Sequence, residues 1–479
     1  MRVVAALLVA ILTAPVAQDL TADQARADFD ALRGALEEAH GALYRFTPKP
    51  DLDRTFDALR KRLDAPVSRR GLIGVLSEML AAIHDGHSRV QPDEQTSEAM
   101  SAAKMLPIRV QIEGTRMVVV SNDTTDDATI RPGMEVVSIN GRSASDVLAA
   151  IMPKLSGDGF IETGRKWGLG GTLAQMYWLF VDQAETFAIV ARDTAGRPVT
   201  AQLAGVRNID RPTNKNPVND ALRAVMDRID PPGTNVSLQV IADTPIATLR
   251  IRGFWGVDFA TEVESAFRTA REKYVRALIL DVRGNGGGVD EYGAALVSRF
   301  TDKPFRYFDH IHVNTVRPSF ATWRPETYES VRLGVVADPG GGFRVTPTLH
   351  PGVGPQMPNA TPFMGPLVVL MDGGSVSTTA DVLSVLRYLK RATFVGEESG
   401  GAYEGNTSGL NAVIRLPSSG IRVVIEMYGY FNAVTGGEKG RGTLPDYPVA
   451  RTVADLLRGV DAQKDRAIAL ARTAIAKRP

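Results

Sequence analysis

Hydrophobic and polar positions follow different patterns in successive parts of the chain. Between residues 20 and 89, apolar side chains such as Phe29, Leu32 and Leu36 recur at helical spacing, whereas short strand-like runs dominate from about 104 to 206. Beyond residue 235, strand and helix patterns alternate. This order predicts a helical lobe, a small α+β module, a linker and a larger α/β domain, at 18–95, 104–206, 207–235 and 236–479 respectively.

The α/β domain is predicted to contain a mainly parallel sheet. Its apolar runs at 246–251, 277–282 and 367–371 are typical of buried strands, and helical patterns separate them. Functional groups of such sheets lie at the carboxyl ends of the strands. Residues 302–362 are rich in proline and glycine and predict a long, irregular surface excursion.

A cluster of hydroxyl residues follows one of these strands. The segment 375–379 reads Ser-Val-Ser-Thr-Thr and leads into a helix. A serine on a strand-to-helix turn exposes its hydroxyl beside free backbone N–H groups, as a nucleophile requires. The alternative is that these residues only cap the helix.

A glycine-rich loop, 284–288, follows another strand. A dinucleotide fingerprint would need glycine at position 289, where the chain has Val289, and the loop lacks the Lys-Ser/Thr pair of a phosphate loop. Unhindered glycine amides can instead approach a substrate carbonyl and donate to a developing oxyanion. The serine turn and the glycine loop are therefore predicted to be neighbours in one site.

Composition limits the function classes. The chain has 479 residues, 44% hydrophobic and 23% charged, as in a globular protein of two or three domains. A net charge of +1 gives no argument for nucleic acid as a partner. The absence of cysteine excludes a disulfide framework, a thiolate metal site and a cysteine nucleophile. No metal or other cofactor is expected, because the histidines lack HExxH spacing and His310 and His312 fall in the irregular segment.

The first 17 residues have the pattern of a secretory signal peptide. One basic residue precedes a short apolar run, and Ala17 suits the cleavage site, although Pro15 stands where a small residue is preferred. A periplasmic or secreted location is expected, and an uncleaved N-terminal anchor is the alternative. No integral membrane domain is expected.

The small module has a recognisable internal pattern. Two strand-like runs surround a Pro-Gly turn, and the Ile-Asn-Gly-Arg segment at 139–142 precedes a helical pattern. These residues resemble the core of a PDZ-like domain, which binds an extended peptide at a sheet edge. The alternative is a structural insert without a peptide groove.

Several motifs in order are similar to those of the C-terminal processing (tail-specific) serine peptidases. This family also includes the tricorn protease core and the interphotoreceptor retinoid-binding proteins. The resemblance implies a crotonase/ClpP-like α/β catalytic core with an N-terminal helical lobe and a PDZ-like module, and it aligns Ser377 with the nucleophile. The motifs are DGH at 85–87, INGR at 139–142, LILDVRGNGGG at 278–288, GGSVSTTADVL at 373–383 and FVGEESGG at 394–401.

The resemblance leaves the identity of the base to be chosen. The processing-peptidase branch has a lysine 25 residues after the nucleophile, where this chain has Ala402. The tricorn-like branch takes a histidine from an N-terminal turn, and His87 occupies the matching position. Glu438 lies near that branch's glutamate, one residue out of register, and Asp85 is the alternative third member.

A second departure concerns the helix that follows the nucleophile. The family commonly has glutamate three residues after it, whereas this chain has Ala380 followed by Asp381. The loss puts optimal activity in doubt more than the fold. Ser375 is the alternative nucleophile.

The sequence therefore resembles the tricorn-like Ser/His branch more than the Ser/Lys branch, and we expect an exported serine peptidase that cleaves polypeptides through an acyl-enzyme. Two alternatives remain, a non-catalytic ligand- or peptide-binding protein on the same fold and a hydrolase of carbohydrate or ester substrates. The expected catalytic residues are Ser377, His87 and Glu438, and the expected oxyanion hole is formed by Gly286, Gly287 and Thr378.

Overall fold

The computed structural model describes residues 19–477, so the signal peptide predicted at 1–17 lies outside the described residues. Separate hydrophobic cores form in a helical N-terminal lobe, a strand-rich middle domain and a C-terminal α/β domain. The prediction of a mixed α/β fold is confirmed. None of the described helices is both long enough and apolar enough to cross a bilayer.

The N-terminal lobe is built from amphipathic helices. Thr21 and Gln24 form a reciprocal capping box at its first helix, which buries Phe29, Leu32 and Leu36 as predicted. The lobe shares one hydrophobic core with a β-hairpin of the C-terminal domain. Its elements are α1 (Ala22–Ala39), α2 (Lys49–Lys61), α3 (Arg69–Ala81), β1 (Arg89–Gln91) and α4 (Glu94–Ala102).

The middle domain is an antiparallel sheet with two helices packed on it. Its strands follow the order β3-β4-β5-β7-β8, with β6 paired to β5. The elements are β2 (Lys104–Met105), β3 (Ile108–Glu113), β4 (Arg116–Asn122), β5 (Glu135–Ile139), β6 (Arg142–Ser143), α5 (Ala144–Ile151), a 3-10 turn (Met152–Lys154), α6 (Glu162–Phe180), β7 (Thr186–Arg192), β8 (Pro198–Ala204) and β9 (Val206–Arg207).

The predicted linker at 207–235 is folded against the middle domain. It contains a 3-10 turn (Pro217–Asn219) and α7 (Asp220–Ile229). Its buried Arg211 guanidinium donates to Asp123 at 2.7 Å. The sequence predicted a linker here because the segment is rich in proline and polar residues. The buried contact between Arg211 and Asp123 becomes visible only in the folded chain.

A six-stranded sheet forms the centre of the C-terminal domain. The order is β10-β11-β12-β18-β19-β22, and every pair is parallel except the edge pair β10–β11. Leu278 and Leu280 pack with α8, α9 and α11 on one face, whereas Ile279 packs with α13 on the other. Burial on both faces explains the unbroken apolar runs. The elements are β10 (Val236–Val240), β11 (Ile246–Ile251), α8 (Phe259–Glu272), β12 (Ala277–Asp281), α9 (Asp290–Ser298), β18 (Leu367–Met371), α11 (Thr378–Tyr388), β19 (Thr393–Gly396), β22 (Tyr447–Pro448), α12 (Val453–Leu457) and α13 (Ala462–Ala476).

A second sheet corrects the expectation for residues 302–362. The segment is not an irregular excursion, because β14 pairs with β21 and buries Phe308 and Ile311. This sheet has the order β1-β21-β14-β16-β15, with β20 also paired to β21, so the N-terminal lobe contributes a strand to it. The remaining elements are β13 (Phe305–Arg306), β14 (Phe308–Val313), α10 (Pro325–Leu333), β15 (Val335–Ala337), β16 (Phe343–Val345), a 3-10 turn (Pro351–Val353), β17 (Pro355–Gln356), β20 (Thr407–Arg415) and β21 (Arg422–Asn432).

Candidate active site

The turn between β18 and α11 holds its serine in a strained conformation. Ser377 precedes α11 with φ 55° and ψ −135°, and its side chain makes no capping hydrogen bond. For a residue other than glycine such backbone costs on the order of 1–3 kcal/mol and persists only where the surroundings enforce it. A strained strand-to-helix turn exposes a serine hydroxyl at the sheet edge. The simple helix-cap alternative does not describe this serine.

The neighbouring Ser375 has a structural role instead. It is fully buried, its Oγ donates to the Val282 carbonyl at 2.9 Å, and that Oγ accepts from the Asp372 N–H at 3.2 Å. Asp372 Oδ1 also accepts from the Gly284 N–H at 2.7 Å, which ties the serine turn to the glycine loop. Ser375 therefore lacks the access that a nucleophile needs.

The glycine loop lies directly against the serine. A Cβ atom on Gly287 would stand 2.6 Å from Ser377 Cβ and 3.0 Å from Thr378 N, so only glycine fits there. The Gly287 N–H donates to Asn285 Oδ1 at 2.9 Å and is occupied. Within residues 19–477, the amides of Gly286 and Thr378 donate to no acceptor. Of the three residues predicted for the oxyanion hole, Gly286 and Thr378 therefore keep free amides, whereas the amide of Gly287 is used within the loop.

His87 lies on the turn that follows α3. Asp85 fixes this turn, since its carboxylate accepts from the His87 N–H at 2.8 Å, from His40 Nε2 at 2.9 Å and from Ser88. Burial alone would raise the pKa of Asp85, but these donors hold it well below its usual range. The His87 side chain is about one quarter exposed. Its Nδ1 is buried and has no hydrogen-bond partner in the described part of the chain, and it lies 4.0 Å from Asp85 Oδ1.

Two further buried carboxyls near His87 were missed by sequence reasoning. Asp158 accepts from the Gly86 N–H at 2.8 Å, and burial raises its pKa. Burial likewise raises the pKa of Glu426 to about 7, while the nearby His87 acts to lower it. Asp158 stands in a Gly-Asp-Gly turn signal, but only the fold places it beside the histidine.

Glu438, the predicted third member, is exposed on the loop after β21. Its carbonyl accepts from the Arg441 N–H at 3.1 Å. No hydrogen bond between the described side chains of Glu438 and His87 is present. The structure therefore does not bring these two residues together.

The first turn of α6 borders both halves of the site. Gly164 lines a largely apolar cavity of about 620 Å³ beside His87. A Cβ on Gly164 would stand 2.9 Å from Gly400 Cα, and a Cβ on Gly400 would stand 2.7 Å from Val376 Cγ1. Among the described residues no hydrogen bond joins Ser377 to His87. The α6 turn thus lies beside His87 on one side and, through Gly400, beside the serine turn on the other, without direct pairing of Ser377 and His87.

The two positions that depart from the family pattern are tightly packed. Ala402 is 1% exposed and pairs with Gly442 in a β-bridge, so no amine occupies the lysine position. Ala380 is 1% exposed, and a Cβ added to Gly401 would lie 2.6 Å from the Ala380 Cβ, so position 401 needs glycine. The adjacent Asp381 is buried, which raises its pKa well above the usual range, and accepts from Asn432 Nδ2 at 2.9 Å.

One group of described residues has donor spacing that a metal could use. A ring nitrogen of His87 and one carboxylate oxygen each from Asp85 and Asp158 lie within 4.8 Å of one another. Both oxygens of Asp85 already accept protein hydrogen bonds. The group therefore fits a hydrogen-bonded cluster better than a metal site.

Comparison with known proteins agrees with this arrangement. Residues 245–449, which include the serine turn and the glycine loop, match the model of peptidase family S41. No curated protein sequence matches the chain. Mature CPAF aligns with a TM-score of 0.64 at 16% identity, over 94% of this chain and 96% of that chain. CPAF complexed with lactacystin gives the same TM-score and identity, over 94% and 98%. At such identities the structural likeness shows a shared fold. The family match falls on the domain that holds the serine turn and the glycine loop, so residues 245–449 are similar to peptidase family S41, and this similarity supports a peptidase hydrolase.

Proposed function

We propose that this chain is an exported peptidase of the Ser/His kind that works through an acyl-enzyme on Ser377. Ser377 Oγ attacks the peptide carbonyl while its proton passes to His87. The C–N bond then breaks and the leaving amine takes that proton. Water, deprotonated by His87, hydrolyses the ester and restores the serine.

The observation that carries this proposal is the strained backbone of Ser377 against Gly287. Strain without a capping bond indicates that the turn serves to present the hydroxyl. The free amides of Gly286 and Thr378 are assigned to the oxyanion, and each such donor is worth about 10²–10³ in rate. Gly287 supplies space for the serine, while its own amide remains with Asn285.

His87 is assigned as the base because the lysine position is the buried Ala402. An imidazole can accept the serine proton near neutral pH and return it to the amine. Catalytic hydrogen bonds are often long in substrate-free enzymes and tighten in the complex. We therefore place formation of the bond between Ser377 and His87 in the substrate complex. An extended polypeptide, presented by the middle domain, is the proposed substrate.

Labelling by a serine-directed fluorophosphonate tests the assignment. Wild type and the exposed control Ser145→Ala are expected to label at equal rates. Ser377→Ala is expected to abolish labelling, and His87→Ala to slow it by at least about 10² because the hydroxyl loses its base. Labelling that survives Ser377→Ala rejects the nucleophile, and an unchanged rate in His87→Ala rejects the base. Failure of both would favour a binding protein.

A further inference from the structure

One ring nitrogen of His87, Nδ1, has no hydrogen-bond partner among residues 19–477. Nδ1 is buried, whereas the His87 side chain as a whole is about one quarter exposed. A histidine that takes a proton through one nitrogen needs an acceptor at the other, which fixes the tautomer and stabilises the imidazolium. The neighbouring carboxyls are the candidates for that acceptor.

Asp85 is already committed to the backbone and side chains of its own turn. One oxygen accepts from the His87 N–H, and the other accepts from His40 Nε2 and from Ser88. Its Oδ1 lies 4.0 Å from Nδ1, beyond hydrogen-bond distance, and this oxygen already accepts from the His87 N–H. Asp85 shapes the turn but has no free oxygen to orient the ring.

Asp158 has such an oxygen. Its side chain is buried, and one carboxylate oxygen accepts from the Gly86 N–H, while the other accepts no hydrogen bond from residues 19–477. Asp158 forms a close group with Asp85 and His87, in which one carboxylate oxygen or ring nitrogen from each residue lies within 4.8 Å of the other two. One carboxylate oxygen of Asp158 therefore lies within 4.8 Å of a His87 ring nitrogen, a gap that the two side chains would have to close to form a hydrogen bond.

The other two carboxyls are less well placed. The Glu426 carboxylate lies 3.7 Å from the Arg89 guanidinium, which competes with His87 as its cationic partner. Glu438 is exposed and lies on the loop beside Arg441. Neither Glu426 nor Glu438 belongs to the close group formed by Asp85, His87 and Asp158.

The loop that carries Asp158 is locked to the histidine turn. The Gly159 N–H donates to the His84 carbonyl at 2.9 Å, and the Phe160 N–H donates to the Gly440 carbonyl at 2.7 Å. The Phe160 ring also packs edge-on against the His84 ring at 4.7 Å. These contacts hold the carboxylate in place before any substrate binds, as a positioning group requires.

We propose that Asp158 is the positioning residue of His87, accepting its Nδ1–H so that Nε2 faces the serine. This inference rests on the proposed Ser377 and His87 mechanism. The site then takes its nucleophile from the C-terminal domain, its base from the N-terminal lobe and its orienting carboxylate from the middle domain. The middle domain thereby acts on the base as well as on substrate.

The test measures the rate of fluorophosphonate labelling against pH in the full chain. Asp158→Asn keeps the acceptor for Gly86 but removes the charge, so we expect at least a tenfold slower reaction, on the order seen for lost orienting groups. Without that charge the imidazolium is less stable, so the acid limb is expected to move to lower pH. Asp158→Glu is expected to recover part of the rate, and the exposed Asp227→Asn to match wild type. The other charged groups that act on this cluster are unchanged in these variants: Asp85, Glu426, Arg89, Arg45 and His40.

The outcomes separate this inference from the mechanism beneath it. Labelling that persists in Ser377→Ala or is unchanged in His87→Ala rejects the mechanism. If Ser377→Ala and His87→Ala both lose labelling but Asp158→Asn keeps the wild-type dependence of labelling rate on pH, only the role of Asp158 is rejected. The role of Asp158 is also rejected if Glu438→Gln alone shifts that pH dependence. Should Asp158→Asn not fold, ¹⁵N spectra of wild-type His87 decide the matter. A neutral ring protonated at Nδ1 supports the inference, and one protonated at Nε2 overturns it.

Discussion

At the scale of single residues, the environment of His87 is unusually rich in buried carboxyls. Asp85 and Asp158 are both buried, and Glu426 is only 5% exposed on β21. Burial raises the pKa of Asp158 and of Glu426, whereas the hydrogen-bond donors around Asp85 lower its pKa. The free energy of unfolding should therefore depend on pH through these three carboxyls.

Glu426 allows the sign of this dependence to be predicted. Burial raises its pKa from an ordinary 4.5 to about 7, so the folded state binds the proton more tightly than the unfolded chain. Its ionisation therefore weakens folding progressively between about pH 4.5 and 7, by up to about 3 kcal/mol above that window. Relative to wild type, Glu426→Gln should gain unfolding free energy at pH 8 but not at pH 4.5, as measured by urea unfolding.

The exposed Glu98→Gln variant is the control for removal of a carboxylate as such. A difference between Glu426→Gln and wild type that stays constant with pH contradicts the buried, proton-binding role.

At the scale of elements, α6 connects the middle domain to the serine turn. Its first turn packs on the backbone of Gly400 and Gly373, and Trp167 covers Gly374. The helix offers two glycines in contrasting surroundings. A Cβ on Gly164 would meet Gly400 at 2.9 Å, whereas one on Gly171 would meet no atom within 4 Å.

Gly164→Ala is expected to push α6 away from the serine turn and to slow labelling of Ser377. Gly171→Ala adds a methyl group in open space on the same helix and should stabilise it by about 0.5–1 kcal/mol without slowing the reaction. Labelling rates and thermal unfolding of the two variants check this contrast. Equal behaviour of the pair would show that close packing at Gly164 is unimportant.

The elements differ in how well the sequence predicts them, for a physical reason. The strands at 277–281 and 367–371 were predicted because burial on both faces demands unbroken apolar runs. The strand at 308–313 was missed because polar residues alternate within it and proline and glycine surround it. Asp158 was missed because its role depends on a contact 72 residues away, with the Gly86 N–H, that no local pattern reveals.

At the scale of the whole molecule, the N-terminal lobe and the C-terminal domain are joined by a shared core and a shared sheet. The lobe shares a core with the β20–β21 hairpin and adds β1 to the edge of the same sheet. The buried Asp28 carboxylate accepts from the Ser418 and Ser419 N–H groups at 2.7 and 2.8 Å, which fastens the hairpin turn to α1. Placement of His87 should depend on this junction.

Asp28→Ala leaves two N–H groups without their acceptor and is expected to destabilise the protein by about 1–3 kcal/mol. Asp30 lies on the same helix as Asp28 and forms an exposed ion pair with Arg60. Asp30→Ala should therefore lower the free energy of unfolding by no more than about 1 kcal/mol. Chemical denaturation of both variants measures the difference. Equal losses would contradict a structural role for the buried carboxylate.

The most direct measurement for the whole account is a crystal structure of the enzyme with a phosphonate bound covalently. We expect the adduct on Ser377 Oγ, one phosphoryl oxygen beside the Gly286 and Thr378 amides, and a ring nitrogen of His87 about 2.6–3.2 Å from the adduct oxygen. An adduct on another residue, or a His87 ring that stays out of reach of Ser377, would contradict this expectation.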